Sequence, residues 1–384
     1  MKVMFYVQHL LGIGHLVRAS RVAEALHQAG HHVTMVSGGM PVEGFPGEGV
    51  NLLQLPPLRS ADAGFSSLAD GHGNEVSEGY LSVRQRTLLA AFDTICPDCL
   101  VIEAFPFARR QMRFELLPLL AHVDAFSDEQ RPMVASSIRD ILQPKSVARD
   151  QATADLVRRH FDLVLVHGDE NFAPLSETFS AADMISDRVA YTGLVGPAIN
   201  QKSDETYDVV VSAGGGAVGQ ALLEASIEAR ALTSFNRSRW LIITGPNLPE
   251  NALQKLLKLG DDEVNIVRFR PDLAALLGNT TVSISQAGYN TVADILSAGC
   301  ASVLVPFAGG GEREQTTRAT RLAQAGACVM IDPQELSPEG LAKAIDQAAV
   351  DRQSQPGHTR LDGARQTARI LGERHASFRR GQSA

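Results

Sequence analysis

A histidine placed directly behind a glycine turn is suited to moving protons, and the run Gly12-Ile13-Gly14-His15 supplies one. Imidazole titrates near neutral pH, which makes His15 a candidate general base. On the residues alone, a helix cap or a satisfied core histidine is the plainer alternative. A dinucleotide fingerprint would need a third glycine where the chain has Val17, so the turn argues against an NAD site. A second glycine turn, Ala213 to Gly219, contains Gly214, Gly215 and Gly216 between an apolar run and a helical pattern. Backbone amides in such a turn can hold a phosphate without basic side chains. No Lys-Ser/Thr pair follows, so it is not a Walker A loop.

Two further groups of residues carry chemical possibilities. Gly288, Asn290, Thr291 and Asp294 follow an apolar strand, and a carboxylate there suits a ribose diol, with a solvated carboxylate as the bland reading. Glu103 ends another apolar run and is the second candidate base. With Asp140 it is also a candidate nucleophile for a retaining glycosyl transfer. Arg109 and Arg113, four apart in a segment read as helical, share a face next to Phe105 and Phe107. They suit an acidic or lipid-linked acceptor, and a solvated helix face is the alternative. Arg139, at the end of the strand Val134–Ile138, is grouped with them on the acceptor side.

The elements that must position these residues read as two successive α/β halves. Strands are expected at Val3–Gln8, Val33–Val36, Leu100–Glu103, Val134–Ile138, Leu163–His167 and Ala190–Leu194, with helices at Val17–Ala29 and Ser82–Phe92. Gly38 to Gly79, rich in Gly, Pro, Ser and Asp, reads as long loops. Strands at Val209–Ser212, Trp240–Thr244, Val264–Phe269, Thr281–Ser285, Ser302–Val305 and Cys328–Ile331 make the second half, with a helix over Asn290–Ala298 stopped by Gly299. The expected organisation is an amino-terminal Rossmann-like acceptor lobe over 1–195, a linker over 196–208 and a donor lobe over 209–358. A helical segment over 359–384 is read as one that could return to the first lobe, its last eight residues frayed.

The run from Ser285 to Phe307, SQAGYNTVADILSAGCASVLVPF, resembles the donor-binding signature of family 28 glycosyltransferases, the family of the peptidoglycan-precursor UDP-N-acetylglucosamine transferases. The resemblance implies a GT-B fold, two Rossmann-like lobes with parallel sheets facing a cleft. It implies donor contacts from Gln286, Gly288, Asn290 and Thr291, with Asp294 on the ribose. It further implies backbone recognition of uracil at Phe269-Arg270 and contacts to the donor sugar from Glu314-Gln315, preceded by Glu312. Ala287 stands where that family's peptidoglycan enzyme has serine, Glu314 where it has glutamine, and Gly309-Gly310-Gly311 lengthens the loop, so the sugar stays open. Gly14, His15 and Arg18 also resemble the turn of UDP-sugar hydrolases of the pseudaminic acid pathway. Both resemblances favour His15 as a base. Family 28 transfer is inverting and needs one base, and the chain has no Asp-X-Asp motif, so the expectation is no cofactor and no metal, with a UDP-sugar as co-substrate. A hydrolase of the same fold and a non-catalytic sugar-nucleotide sensor remain the alternatives.

Composition sets the outer limits. A formal net charge of −8 argues against a nucleic-acid partner. Hydrophobic residues at 44% and charged residues at 20% are those of a soluble globular protein. Four cysteines are few for a disulfide scaffold, so a cytoplasmic location is expected, with peripheral contact at the inner face of the membrane left open. Cys96-Pro-Asp-Cys99 has no second ligand pair to complete a zinc site and reads as two thiols at the entrance of a buried strand.

Overall fold

The computed structural model describes every residue except 11, 62–66, 198–202, 215–218, 352–359, 383 and 384. It divides into two compact units, Met1–Val195 with Asp362–Ala384, and Gly196–Leu361.

In the first unit the strands are β1 (Lys2–Val7), β2 (His32–Ser37), β3 (Asn51–Gln54), β4 (Arg59–Ser60), β5 (Leu68–Ala69), β6 (Cys99–Glu103), β7 (Met133–Arg139), β8 (Leu163–His167) and β9 (Val189–Tyr191). The helices are α1 (Gly14–Gln28), α2 (Glu78–Ile95), α3 (Arg113–Asp124) and α4 (Val147–His160), and the chain's last helix, described below, joins them. Seven strands form one sheet in the order β3-β2-β1-β6-β7-β8-β9, every pair parallel. Parallel strands covered by helices on both faces read as near-continuous apolar runs, as in the buried stretches VMFYV of β1 and LVLVH of β8. The stretch read as loops holds more structure than expected. Asn51–Gln54 pairs with β2 as the sheet's edge strand, and β4 and β5 form a short antiparallel ribbon.

The second unit has β10 (Val209–Ser212), β11 (Trp240–Ile243), β12 (Val264–Val267), β13 (Val282–Ser285), β14 (Ala301–Leu304) and β15 (Val329–Met330). Its helices are α5 (Gln220–Arg230), α6 (Glu250–Leu259), α7 (Leu273–Leu277), α8 (Tyr289–Ala298), α9 (Glu314–Gln324) and α10 (Pro338–Val350). The sheet order β12-β11-β10-β13-β14-β15, all parallel, is the doubly wound order, with its reversal between β10 and β13. Trp240, fully buried, anchors this core and donates its indole N–H to the Phe235 carbonyl at 3.0 Å. Helix α8 ends where the sequence suggested, at Gly299 with φ 65°. Strand β12 ends at Val267, two residues earlier than expected. Arg268 turns away to the Leu248 carbonyl at 2.9 Å and to Glu250 at 2.6 Å, which leaves Phe269 and Arg270 in a loop.

The last helix, α11 (Gly363–Gln382), lies within the segment read as helical and packs on α1 within the first unit. The terminal residues read as frayed are helical through Gln382, and Arg379 there donates to the Glu129 carbonyl at 2.8 Å. Among the described residues, no helix is long and apolar enough to cross a membrane.

Candidate functional site

In an open α/β sheet, ligands bind beyond the carboxyl ends of strands where the strand order reverses. In the first unit that point lies between β1 and β6, and the chain places Gly12 to His15 after β1 and Glu103 at the last position of β6. A Cβ built on Gly12 would meet nothing within 4 Å, so its value is open space beside the turn rather than a backbone angle. Gly14 and His15 open α1, which puts the imidazole on the first helical turn.

Glu103 gathers this cluster. His15 Nδ1 lies 3.0 Å from Glu103 Oε1, and Arg18, one turn along α1, donates to the same oxygen. Ser137 Oγ donates to Glu103 Oε2 at 2.5 Å and stands 2.9 Å from His167 Nε2, whose Nδ1 is 2.9 Å from Thr192 Oγ1. An ionised carboxylate can only accept, so Ser137 donates to Glu103 and His15 donates to it from Nδ1; with its proton so used, Ser137 accepts from His167 Nε2–H. The Thr192 hydroxyl, 2.9 Å from His167 Nδ1, lies equally 2.9 Å from the Gly193 carbonyl, which competes for its one proton. The lone pair of His15 is then on Nε2, and its side chain keeps 22% exposure while Glu103 is fully buried.

Electrostatics fit a neutral imidazole held by an ionised carboxylate. Burial lowers His15 to about 3, helped by the Arg109 guanidinium and opposed by the hydrogen bond to Glu103. Burial by itself would raise Glu103, but Arg18 and the His15 and Ser137 hydrogen bonds hold it at about 2. Burial brings His167 to about 3 as well, with Arg18 adding to the shift.

Arg109 does not share a helix face with Arg113, as the four-residue spacing suggested. It has φ 60° and precedes a 3-10 turn, while Arg113 begins α3. Its Nε donates to the Gln8 carbonyl at 2.9 Å, which turns it toward the β1 end. Burial lowers its guanidinium to about 10; Glu103 pulls the other way, and Arg139, at the end of β7, repels it. Arg109 and Arg139 thus stand near the His15 cluster, and the structure does not tie Arg113 to it. Ser137, His167 and Thr192 were missed in the sequence. A polar residue ending each of three successive apolar runs was the available signal.

In the second unit the reversal lies between β10 and β13, and two of the expected donor loops follow those strands. Gly214 has φ 71°, and a Cβ there would come within 3.3 Å of Gln286 Oε1, so the two loops touch. Gly215 and Gly216 lie outside the described residues. Gly288 precedes α8 with nothing within 4 Å of its missing Cβ, and Asn290 and Thr291 occupy the first turn of that helix. Asp294, for which a solvated carboxylate was the plain alternative, is buried at 6% exposure on α8. Phe269 is 49% exposed in the loop after β12. The Arg270 side chain is committed to Asp272 at 2.8 Å and Glu205 at 3.1 Å, which leaves its backbone as the part available to a base.

The residues at the start of α9 also serve the fold. Glu312 accepts the backbone N–H of Glu314 at 2.9 Å and so caps the helix. Glu314 is buried and ion-paired with Arg318 at 2.8 Å, and Arg318 donates on to the Ala287 carbonyl at 2.9 Å. Gln315 Oε1 accepts from the Phe307 N–H at 3.0 Å, so its amide nitrogen is the end that can face a ligand. Among the described residues, no three of His, Cys, Asp or Glu converge as a metal site.

Residues 209–368 match the glycosyltransferase family 28 C-terminal domain. The chain is similar to the UDP-N-acetylglucosamine--N-acetylmuramyl-(pentapeptide) pyrophosphoryl-undecaprenol N-acetylglucosamine transferase of Leuconostoc mesenteroides subsp. mesenteroides, 32% identical over 146 residues, 38% of this chain and 39% of that one. The enzyme of the same description from Methylibium petroleiphilum is 33% identical over 168 residues, 43% of this chain and 44% of that one. These matches span less than half the length of those relatives. In fold, the chain is similar to the crystal structure of MurG from Acinetobacter baumannii at TM-score 0.61 and 16% identity, over 97% of this chain and 100% of that one. Two parallel-sheet α/β units with these neighbours are the GT-B fold.

Proposed function

From the family 28 C-terminal domain at residues 209–368, we propose that this protein is a glycosyltransferase that moves a hexose or N-acetylhexosamine from a UDP-sugar to an acceptor hydroxyl. The observation that carries the reading is the 3.0 Å contact of His15 Nδ1 with a buried, ionised Glu103, which leaves Nε2 to accept a proton. The acceptor hydroxyl gives its proton to His15 Nε2 as its oxygen attacks the anomeric carbon. The bond from that carbon to the diphosphate oxygen breaks, and UDP leaves with the electron pair. Attack opposite the leaving group inverts the anomeric centre, and Glu103 holds the tautomer and offsets the imidazolium charge. The amides around Gly214 and Gly288 and the start of α8 would stabilise the leaving diphosphate, a role that needs no metal. Asp294 would hold the ribose, the Phe269-Arg270 backbone the uracil, and Gln315 the sugar. Arg109 and Arg139 suit an acidic or lipid-linked acceptor, with the protein working at the inner face of the membrane.

One observation favours a second reading. Arg18 pairs with Glu103 beside His15, so two of the three residues that resemble the UDP-sugar hydrolases, His15 and Arg18, meet on one carboxylate, and water could take the acceptor's place. Incubating the full chain with a panel of nucleotide sugars, with and without EDTA and with candidate acceptors, separates these outcomes. UDP release that depends on an acceptor supports transfer, and release in water alone supports hydrolysis. Binding without any release moves the sensor reading ahead, and loss of turnover in EDTA overturns metal independence.

A further inference from the structure

The first unit has a further concave site at the opposite ends of its strands from His15 and Glu103. A cavity of about 500 Å³ is lined by Arg131, Arg158, Arg159 and Arg188, with Asp128, Asp162, Phe161, Phe378 and Gly381 completing the wall. Arg131 lies two residues before β7, and Phe161 and Asp162 directly precede β8, so the cavity is at the amino ends of strands whose carboxyl ends carry Ser137, Arg139 and His167. Seven residues of β7 put the two sites about 20 Å apart.

Four arginines face two aspartates there, in a chain whose formal net charge is −8. Two of the guanidinium groups are built in. Arg131 donates to the His160 carbonyl at 3.2 Å and to Asp162 at 2.8 Å, and sits 5.8 Å from the centroid of the Phe378 ring. Arg188 donates through Nη1 to the carbonyls of Val157, at 3.2 Å, and Phe161. Its Nη2 has no hydrogen-bond partner among the described residues. Arg158 and Arg159 are exposed, and no side-chain hydrogen bond or ion pair joins them to the described residues. Basic residues in the last turn of α4 are favoured by the helix dipole, which accounts for Arg158 and Arg159. Arg131 and Arg188 arrive from two other segments and are fixed by the last carbonyls of α4, those of Val157, His160 and Phe161, so they cap that helix as well as line the cavity. Asp162 is already engaged by Arg131 and by the Val134 N–H at 2.7 Å, so it does not neutralise the cavity alone.

We propose that this cavity binds a phosphoryl-bearing anion of small-molecule size, a site separate from any nucleotide-sugar site. The exposed Arg158 and Arg159 offer guanidinium forks, the groups that recognise phosphate oxygens in pairs, and Arg188 adds its Nη2 beside them. The volume is that of an ordinary small-ligand pocket. A soluble phosphate ester and the headgroup of an anionic lipid share this chemistry. Phe378 and Gly381 come from α11, so an occupant would touch the helix that closes the first unit.

The test uses the full chain with saturating UDP to fill any nucleotide site. Calorimetry with inorganic pyrophosphate, and co-sedimentation with phosphatidylcholine vesicles with and without phosphatidylglycerol, are compared for wild type, for the Arg158→Ala, Arg159→Ala double variant and for the corresponding double lysine variant. Expected is one pyrophosphate site per chain, weakened roughly tenfold or more in the alanine variant and less in the lysine variant. Melting temperature and donor turnover should be unchanged. Vesicle binding that needs phosphatidylglycerol and is competed by pyrophosphate assigns the source to lipid, and pyrophosphate binding without vesicle binding assigns it to a soluble ligand. Absence of binding to both probes, or an alanine variant that binds both as wild type does, overturns the proposal.

Discussion

At the scale of single residues, the lowered His15 is the feature with the most consequence. His15→Ala should reduce turnover by a factor on the order of 10² to 10⁴, as expected when a general base is lost. Steady-state rates with the donor found active in the panel check this, and full retention of turnover would remove His15 from the mechanism. An ordinary imidazole would place the acid limb of the pH profile near 6.5; with His15 lowered to about 3, kcat/KM should hold well below pH 6. Glu103→Gln weakens the acceptor for His15 Nδ1–H and leaves Arg18 without its anion, so it should lower turnover and destabilise together. His15 was readable as a base from its turn, but its depressed proton affinity was not, because burial and Arg109 come from distant segments.

At the scale of elements, the loops after β10 and β13 were legible because glycines between an apolar run and a helix are a local signal. Gly288→Val is expected to fold normally, since the position has φ −65° and open space, while losing most of its UDP affinity if diphosphate lies against that loop. Calorimetry with UDP and with uridine checks it: a loss confined to the diphosphate supports the assignment, and equal losses refute it. Asp294→Ala should weaken UDP binding, and because the residue is buried it should also lower the melting temperature, which an exposed carboxylate would not do. An unchanged UDP affinity would sink the ribose role. Helix α2 shows what periodicity could not reveal. Arg84, fully buried on α2, pairs with buried Glu115 of α3 at 2.7 Å and with the Gly38 carbonyl at 2.8 Å. Arg84→Ala leaves that carboxylate unpaired and should cost about 3–5 kcal/mol in denaturant unfolding.

At the scale of the whole molecule, stability should fall in acid. His15 and His167 are held below the ordinary imidazole value, so the native state binds fewer protons than the unfolded chain once pH drops through about 6.5. Their contribution is present above that value and is lost progressively toward pH 3. Glu103, also lowered, adds a loss in the same direction as pH falls through the carboxylate range toward 2. Melting temperature against pH checks the sign, and a profile flat from 7 to 5 would contradict it. Deleting the chain after Leu361 should lower the calorimetric transition of the first unit and spare that of the second, because α11 buries Thr367, Ala368 and Leu371 within the first.

By itself the sequence determined the α/β class, most strand and helix positions and the glycine turns at strand ends, since apolar period and glycine content are properties of short segments. It also placed His15, Glu103 and the α8 turn at strand or helix ends, and Asp294 on the helix that follows Gly288. Only the tertiary structure decided which of them meet. His15 and Glu103 are 88 residues apart and touch because β1 and β6 are neighbours across the strand-order reversal. Ser137 and His167 join them because β7 and β8 lie next in the same parallel sheet. Arg109 left the expected helix face because its backbone turned out of helix before α3 began. Side-chain neighbours set by crossover connections, and the burial that shifts their protons, are not written in any one segment.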